Sequence, residues 1–150
     1  MKHIMRTVAI CIILVAVNVP AQPRGFDAIR NLDYTILLCD DLPVMKTFYT
    51  EVMGFEIHRD LPDWIELRIG SSLLTLRPRG LAYDGGVMPK GTAAVQLAFR
   101  VPPKDVDHAH ETLLTRTVPV VEAPKDQAWG HRTLFFHDPE GNVIEIYADI

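Results

Sequence analysis

Cysteine is nearly missing from this chain: Cys11 and Cys39 are the only two in 150 residues. Cys11 sits inside an apolar run rather than after a small-residue cleavage motif, so it does not read as a lipoprotein cysteine. Cys39 then stands alone, and an intrachain disulfide is excluded while an oxidising compartment is permitted but not demanded. Basic charge is also short, with 15 Lys and Arg against 19 Asp and Glu and a net charge of −4. That balance gives no support to nucleic-acid binding. The longest apolar run, Val8 to Val17, falls short of the roughly 20 residues a membrane-spanning helix needs.

What that run does fit is a secretory signal peptide. Lys2 and Arg6 precede it, and Val19, Pro20 and Ala21 follow as small residues where a signal peptidase reads, which predicts residues 1–21 as a leader cleaved after Ala21. Removing Lys2 and Arg6 leaves 13 basic residues against 19 acidic ones, a net charge of −6. The mature protein is expected to be exported, periplasmic or secreted, with no membrane attachment after cleavage. Residues 22–30 read as a short polar linker with Pro23 and Gly25.

The remainder is ordinary globular composition, 48% hydrophobic and 23% charged. Its most informative stretch is residues 128–148, AWGHRTLFFHDPEGNVIEIYA. Two β-prone runs, His131 to His137 and Val143 onward, flank Asp138-Pro139-Glu140-Gly141, where Pro139 fixes φ and Gly141 accepts a positive one. Glu145 interrupts the second run, between Ile144 and Ile146. Period-two geometry puts the isoleucines on one face and Glu145 with Val143 and Tyr147 on the other. A lone glutamate of this kind is by default a solvent-facing one.

Taken in order, residues 31–39 read as a strand, either Asp40 or Asp41 caps a helix over Leu42 to Met53, and Gly54 ends it. Phe55 to Arg59, Trp64 to Ile69 and Leu73 to Arg77 are three short strands. Residues 78–92 read as a connection, after which the pattern restarts. Ala93 to Val101 is a strand, Lys104 to Thr115 a helix, Val118 to Glu122 a strand, and the hairpin completes the set. The expected class is α+β, an internal duplication with module one at 31–77 and module two at 93–148.

WGHRTLFFHDPEGNVIEIY resembles the C-terminal hairpin of the vicinal oxygen chelate (VOC) superfamily, the glyoxalase, bleomycin-resistance and extradiol dioxygenase group. FYTEVMGFEIHRD resembles that family's phrase in which a helix ends at Leu-Gly-Phe, with Met53 in place of leucine. The resemblance covers residues 31–148. It implies two βαβββ modules whose sheets curl into a U-shaped mixed sheet with helices outside, a site in the concavity, and frequent pairing as a homodimer. It also implies four metal positions, which fall here on Tyr34, Thr75, Gln96 and Glu145. Glu145 and Gln96 match family ligands, whereas Tyr34 and Thr75 depart from them. One carboxylate, one amide and two neutral hydroxyls form a poor cage, because a catalytic transition ion prefers at least three imidazole, carboxylate or thiolate ligands.

Strand alternation assigns Tyr34, Trp64, Arg68, Thr75, Arg77, Gln96 and Tyr147 to the concave face. If His137 pairs with Asn142 across the turn, Arg132 joins Glu145 there, and His131 and His137 point away; a slip of one residue reverses this. These residues are the expected small-molecule contacts, with the arginines for an anionic or polar group and the aromatics for flat apolar surface. The bland reading gives the arginines ordinary cross-strand carboxylate partners. Two functions stay open. One is a glyoxalase/bleomycin-resistance-like binder of a small molecule without a tight metal centre. The other is a metal-dependent lyase, isomerase or dioxygenase acting on vicinal oxygens, with Zn, Ni, Mn or Fe held by Gln96 and Glu145 and Glu145 moving a proton.

Overall fold

The computed structural model describes residues 32–85, 89 and 92–150, so the leader expected at 1–21 and the linker at 22–30 lie outside the described residues. Module one runs β1 (Tyr34–Cys39), α1 (Leu42–Thr47) continued by a π-helical turn (Phe48–Val52), β2 (Glu56–Leu61), β3 (Trp64–Ile69) and β4 (Ser72–Pro78). Module two repeats it as β5 (Gln96–Arg100), α2 (Pro103–Thr115), β6 (Val120–Asp126), β7 (His131–His137) and β8 (Val143–Asp149). The strands form two four-stranded mixed sheets, ordered β1-β4-β3-β2 and β5-β8-β7-β6, that do not close on one another. This is the expected α+β architecture of two βαβββ modules. Among the described residues no helix is long and apolar enough to cross a membrane.

The duplication extends to register. Ile36 lies across from Thr75 in the parallel β1–β4 pair, and Ala98 across from Glu145 in the parallel β5–β8 pair. Thr75 faces Glu66 on β3, Glu145 faces Phe135 on β7, and Arg59 and Glu122 follow on the outer strands. Thr75 and Glu145 are therefore equivalent positions, as are Tyr34 and Gln96, or Glu66 and Phe135.

Alternation sends one face of each strand inward. Leu37, Cys39, Leu67, Leu74, Leu76, Leu134, Ile144, Ile146 and Ala148 are buried in one core with Met45, Phe48, Val106 and Leu113 from the helices. Each fully buried leucine or isoleucine contributes roughly 1.5–3 kcal/mol by leaving water. Asp41, rather than Asp40, caps α1: its Oδ1 accepts from Val44 N at 3.1 Å. The π-helical turn begins where Met53 N bonds Phe48 O at 3.1 Å, five residues back. That extra residue lets the neighbours Phe48 and Tyr49 both reach the core. Gly54 then turns the chain at φ 71°, a conformation that costs glycine little.

Several strands differ from expectation at their ends: β1 starts at Tyr34, β2 runs on to Leu61 and β4 spans Ser72–Pro78. β5 starts at Gln96, three residues late, and β6 runs Val120–Asp126 through Pro124. Pro124 is tolerated because β6 is an edge strand and its register to β7 shifts between Glu122 and Lys125.

Candidate functional site

In module two, Gln96 and Ala98 on β5 share a face with Val143, Glu145 and Tyr147 on β8. Gln96 Nε2 donates to Glu145 Oε2 at 2.9 Å, fixing the carboxylate between an amide and the small side of Ala98. Tyr147 stacks on His131 with ring centroids 4.9 Å apart and 26° between planes. His131 Nε2 lies 3.3 Å from Asp149 Oδ1, and Asp149 also pairs with Arg100.

The β7–β8 register corrects the expectation for Arg132. His137 pairs with Val143 rather than Asn142, so Phe135 opposes Glu145 and Thr133 opposes Tyr147. One residue of slip moves every β7 side chain to the other face. The cause is local: Asp138 N bonds Asn142 O, while Asp138 Oδ1 accepts from Glu140 N and Asn142 N, so Asn142 belongs to the turn and the strand starts one residue later. Arg132 therefore leaves the Glu145 face. Its guanidinium binds Asp107 on α2 at 2.7 and 3.1 Å and Asp126 at 2.6 Å, and these carboxylates raise its pKa while Asp107 is held below the usual carboxylate range. His131 and His137 move the opposite way, onto the face of Glu145 and Tyr147.

Module one presents Tyr34, Leu73, Thr75, Arg77, Trp64, Glu66 and Arg68 on the corresponding face. Tyr34 and Trp64 meet edge to face, centroids 6.3 Å apart. Trp64 Nε1 donates to Glu66 Oε1 at 2.8 Å, and Glu66 is only 4% exposed. Its Oε2 sits 3.4 Å from Arg59 Nε and 3.9 Å from His58 Nε2, and Arg68 reaches His58 Nδ1 at 2.6 Å. Thr75 is fully buried, and its Oγ1 has no hydrogen-bond partner among the described residues. Arg77 does not present a free guanidinium. It binds Asp84 through both terminal nitrogens, at 2.9 and 2.5 Å, with the Tyr83 ring 5.8 Å away, and Asp84 also accepts from Gly80 N and Leu81 N. The arginine and the two backbone donors hold the Asp84 carboxyl below its ordinary range.

Alternation with the inward pair Ile65 and Leu67 puts Glu66 on this face and makes it a cross-strand carboxylate for the arginines, whereas Arg59 and Asp84 were passed over as partners. Asp84 and the bulge between Ile57 and Arg59 left no signal in the pattern.

Contacts between the modules run on the helix side. Phe55 meets Phe99 at 5.4 Å, Phe48 meets Phe136 at 6.4 Å, Tyr49 Oη donates to Asp138 Oδ2 at 2.9 Å, and Asp41 N donates to Glu140 Oε1 at 2.8 Å. Among the described residues, no hydrogen bond, ion pair or ring contact joins Tyr34, Trp64 or Thr75 to Gln96 or Glu145. A cleft of about 890 Å³ opens beside Ile36 and Leu38, between β1, Thr92 to Val95 and the turn Asp138 to Asn142. Its acids are engaged internally: Glu140 with Asp41 N, Asp40 with Arg79, Asp138 with Tyr49 and Asn142.

The four positions implied for a metal do not fit a tight transition-ion site. Only Gln96 and Glu145 converge, the Thr75 hydroxyl is enclosed, and Tyr34 packs on Trp64 in the other module. Among the described residues no three His, Cys, Asp or Glu side chains group closely enough to hold an ion. An amide and one carboxylate fall short of the ligand number such ions take.

Paired βαβββ modules, equal registers and a carboxylate on each module's open face define a glyoxalase-type fold. The chain belongs to the Glyoxalase/Bleomycin resistance protein/Dioxygenase superfamily, whose model matches residues 31–146. It is 27% identical over 120 residues to the Bacillus subtilis (strain 168) protein YetH, covering 77% of this chain and 96% of that one. It is 23% identical over 121 residues to virulence protein STM3117 of Salmonella typhimurium, covering 79% and 83%. In fold it is similar to a glyoxalase/bleomycin resistance protein/dioxygenase from Nocardioides, with TM-score 0.71 and 20% identity over 84% of this chain and 89% of the other.

Proposed function

We propose that the protein binds a small organic molecule on the open face around Gln96 and Glu145 without a tightly held metal, outside the cytoplasm and as a homodimer. The observation that carries this reading is the Gln96–Glu145 hydrogen bond of 2.9 Å. The amide orients the carboxylate, Ala98 leaves space beside it, and Tyr147 supplies a flat wall. A few placed polar groups on apolar surface are what a small-molecule site needs. The homodimer rests on the pairing that is frequent among proteins of this fold family. Export rests on the leader pattern of Lys2, Arg6 and the run to Val17.

The deciding experiment is metal analysis of residues 22–150 together with a ligand screen by tryptophan fluorescence. A metal-free protein whose emission responds to a compound, with the response lost in Glu145→Ala, is the expected result. Stoichiometric Zn, Ni, Mn or Fe that disappears in Glu145→Ala would overturn it in favour of a metal-dependent lyase, isomerase or dioxygenase. Light scattering reads the dimer, and fractionation of cells making the full chain reads export.

A further inference from the structure

We propose that module one carries a second polar anchor, Glu66 with Thr75, and that this pair takes the hydroxyl or amide N–H of an uncharged, flat small molecule seated where Trp64 now lies. The proposal rests on the reading that these open sheet faces bind small molecules, and extends it to a different pair of residues.

The carboxylate of each module occupies a different strand. Module two places Glu145 on β8 beside Phe135 on β7, whereas module one places Thr75 at the position equivalent to Glu145 and Glu66 at the one equivalent to Phe135. The acid has moved one strand outward and a hydroxyl stands in its former place. Thr75 and Glu66 are direct cross-strand neighbours on one face, and such side chains lie within contact of each other.

Thr75 is the telling residue. It is 0% exposed, yet its Oγ1 meets no hydrogen-bond partner among the described residues. A buried hydroxyl left unpaired destabilises the free protein, and valine would fill the same space without that penalty. Two rings meet across the strand that carries this hydroxyl. Tyr34 on β1 and Trp64 on β3 touch across β4, the strand that carries Thr75. Trp64 is tethered through Nε1 to Glu66 Oε1 at 2.8 Å. A ligand donor that took Glu66 Oε1 would replace the indole N–H one for one. Its oxygen would then satisfy Thr75, a net gain of one hydrogen bond.

Charge selects the ligand class. An anion would face the Glu66 carboxylate, and a cation would face Arg59, 3.4 Å from Glu66 Oε2, and Arg68 beside His58. A neutral donor avoids both repulsions, and the Tyr34 and Trp64 rings favour a flat partner.

The test uses residues 22–150 labelled with 5-fluorotryptophan, which gives one fluorine resonance each for Trp64 and Trp129. The probes share one ring: benzyl alcohol, toluene, benzoate and benzylamine. Benzyl alcohol is expected to shift the Trp64 resonance saturably, ahead of the other three. Thr75→Val and Glu66→Gln should each weaken it about tenfold, the effect of one buried hydrogen bond. Thr75→Val should also raise the melting temperature, and a fall would show that the hydroxyl is already satisfied and overturn the proposal. Benzyl alcohol that leaves the Trp64 resonance unmoved, or moves it equally in the parent and Thr75→Val, overturns it too. In that event a Glu145-dependent ligand response would leave the module-two site standing, so the two failures are distinguishable.

Discussion

Tyr49 Oη donates to Asp138 Oδ2 at 2.9 Å, joining the π-helical turn of module one to the β7–β8 turn of module two, with both residues buried. The bond fixes the relative placement of the modules from inside the core. Tyr49→Phe removes the donor and leaves one Asp138 oxygen with only Asn142 Nδ2. A buried bond to a charged acceptor is worth about 2 kcal/mol, so the midpoint of urea unfolding should fall by that equivalent with an unchanged slope.

Alkaline pH should destabilise the fold through buried acids. Cys39 is pushed up to about 12 from 9.0, chiefly by burial and then by Glu140, and Tyr49 is raised from 10.0 by burial and by Asp138. Both are raised, so their neutral forms are favoured in the folded chain. Their stabilising contribution is complete below pH 9 and is lost as the unfolded thiol and then the unfolded phenol ionise. For Cys39 the loss should run from pH 9 to about 12 at about 1.4 kcal/mol per pH unit. Cys39→Ala should be flatter over that window in denaturant titrations, and a parallel slope would refute the assignment to the thiol.

Arg132 gives a direct check on the hairpin register. With Asp107 and Asp126 holding its guanidinium, Arg132→Ala should leave any ligand bound at Glu145 with its affinity intact. Its stability cost should be about 1 kcal/mol or less, since the pair is partly solvated. Loss of ligand affinity without loss of stability would return Arg132 to the Glu145 face.

The strands and the duplication were legible because alternation and turn residues act locally. Trp64–Ile69 and His131–His137 were both readable from β-prone runs between turn signals. The faces of β1, β3 and β4 followed from the same period of two. The β7 face was not readable, because Asp138 draws Asn142 into the turn by side-chain bonds that strand pattern does not encode. Arg77 reads as an open cation on the strand, and only the loop carrying Asp84 reveals its partner. The enclosed, unpartnered Thr75 hydroxyl is a packing outcome that the strand pattern does not encode.

Gln96 and Glu145 should prove coupled more strongly in ligand binding than in folding. Gln96 is exposed and Glu145 half-buried, so the hydrogen bond between them competes with water and should contribute about 0.5–1 kcal/mol to stability. A ligand that covers the face removes that water, and the amide then decides where the carboxylate points. Gln96→Ala should therefore unfold close to the parent in urea, yet weaken a Glu145-dependent ligand by about tenfold. In a double-mutant cycle with Glu145→Ala, the coupling measured from binding should exceed the coupling measured from unfolding. Equal couplings would mean that the pair is a solvated cross-strand contact, and that Glu145 meets a ligand without help from β5.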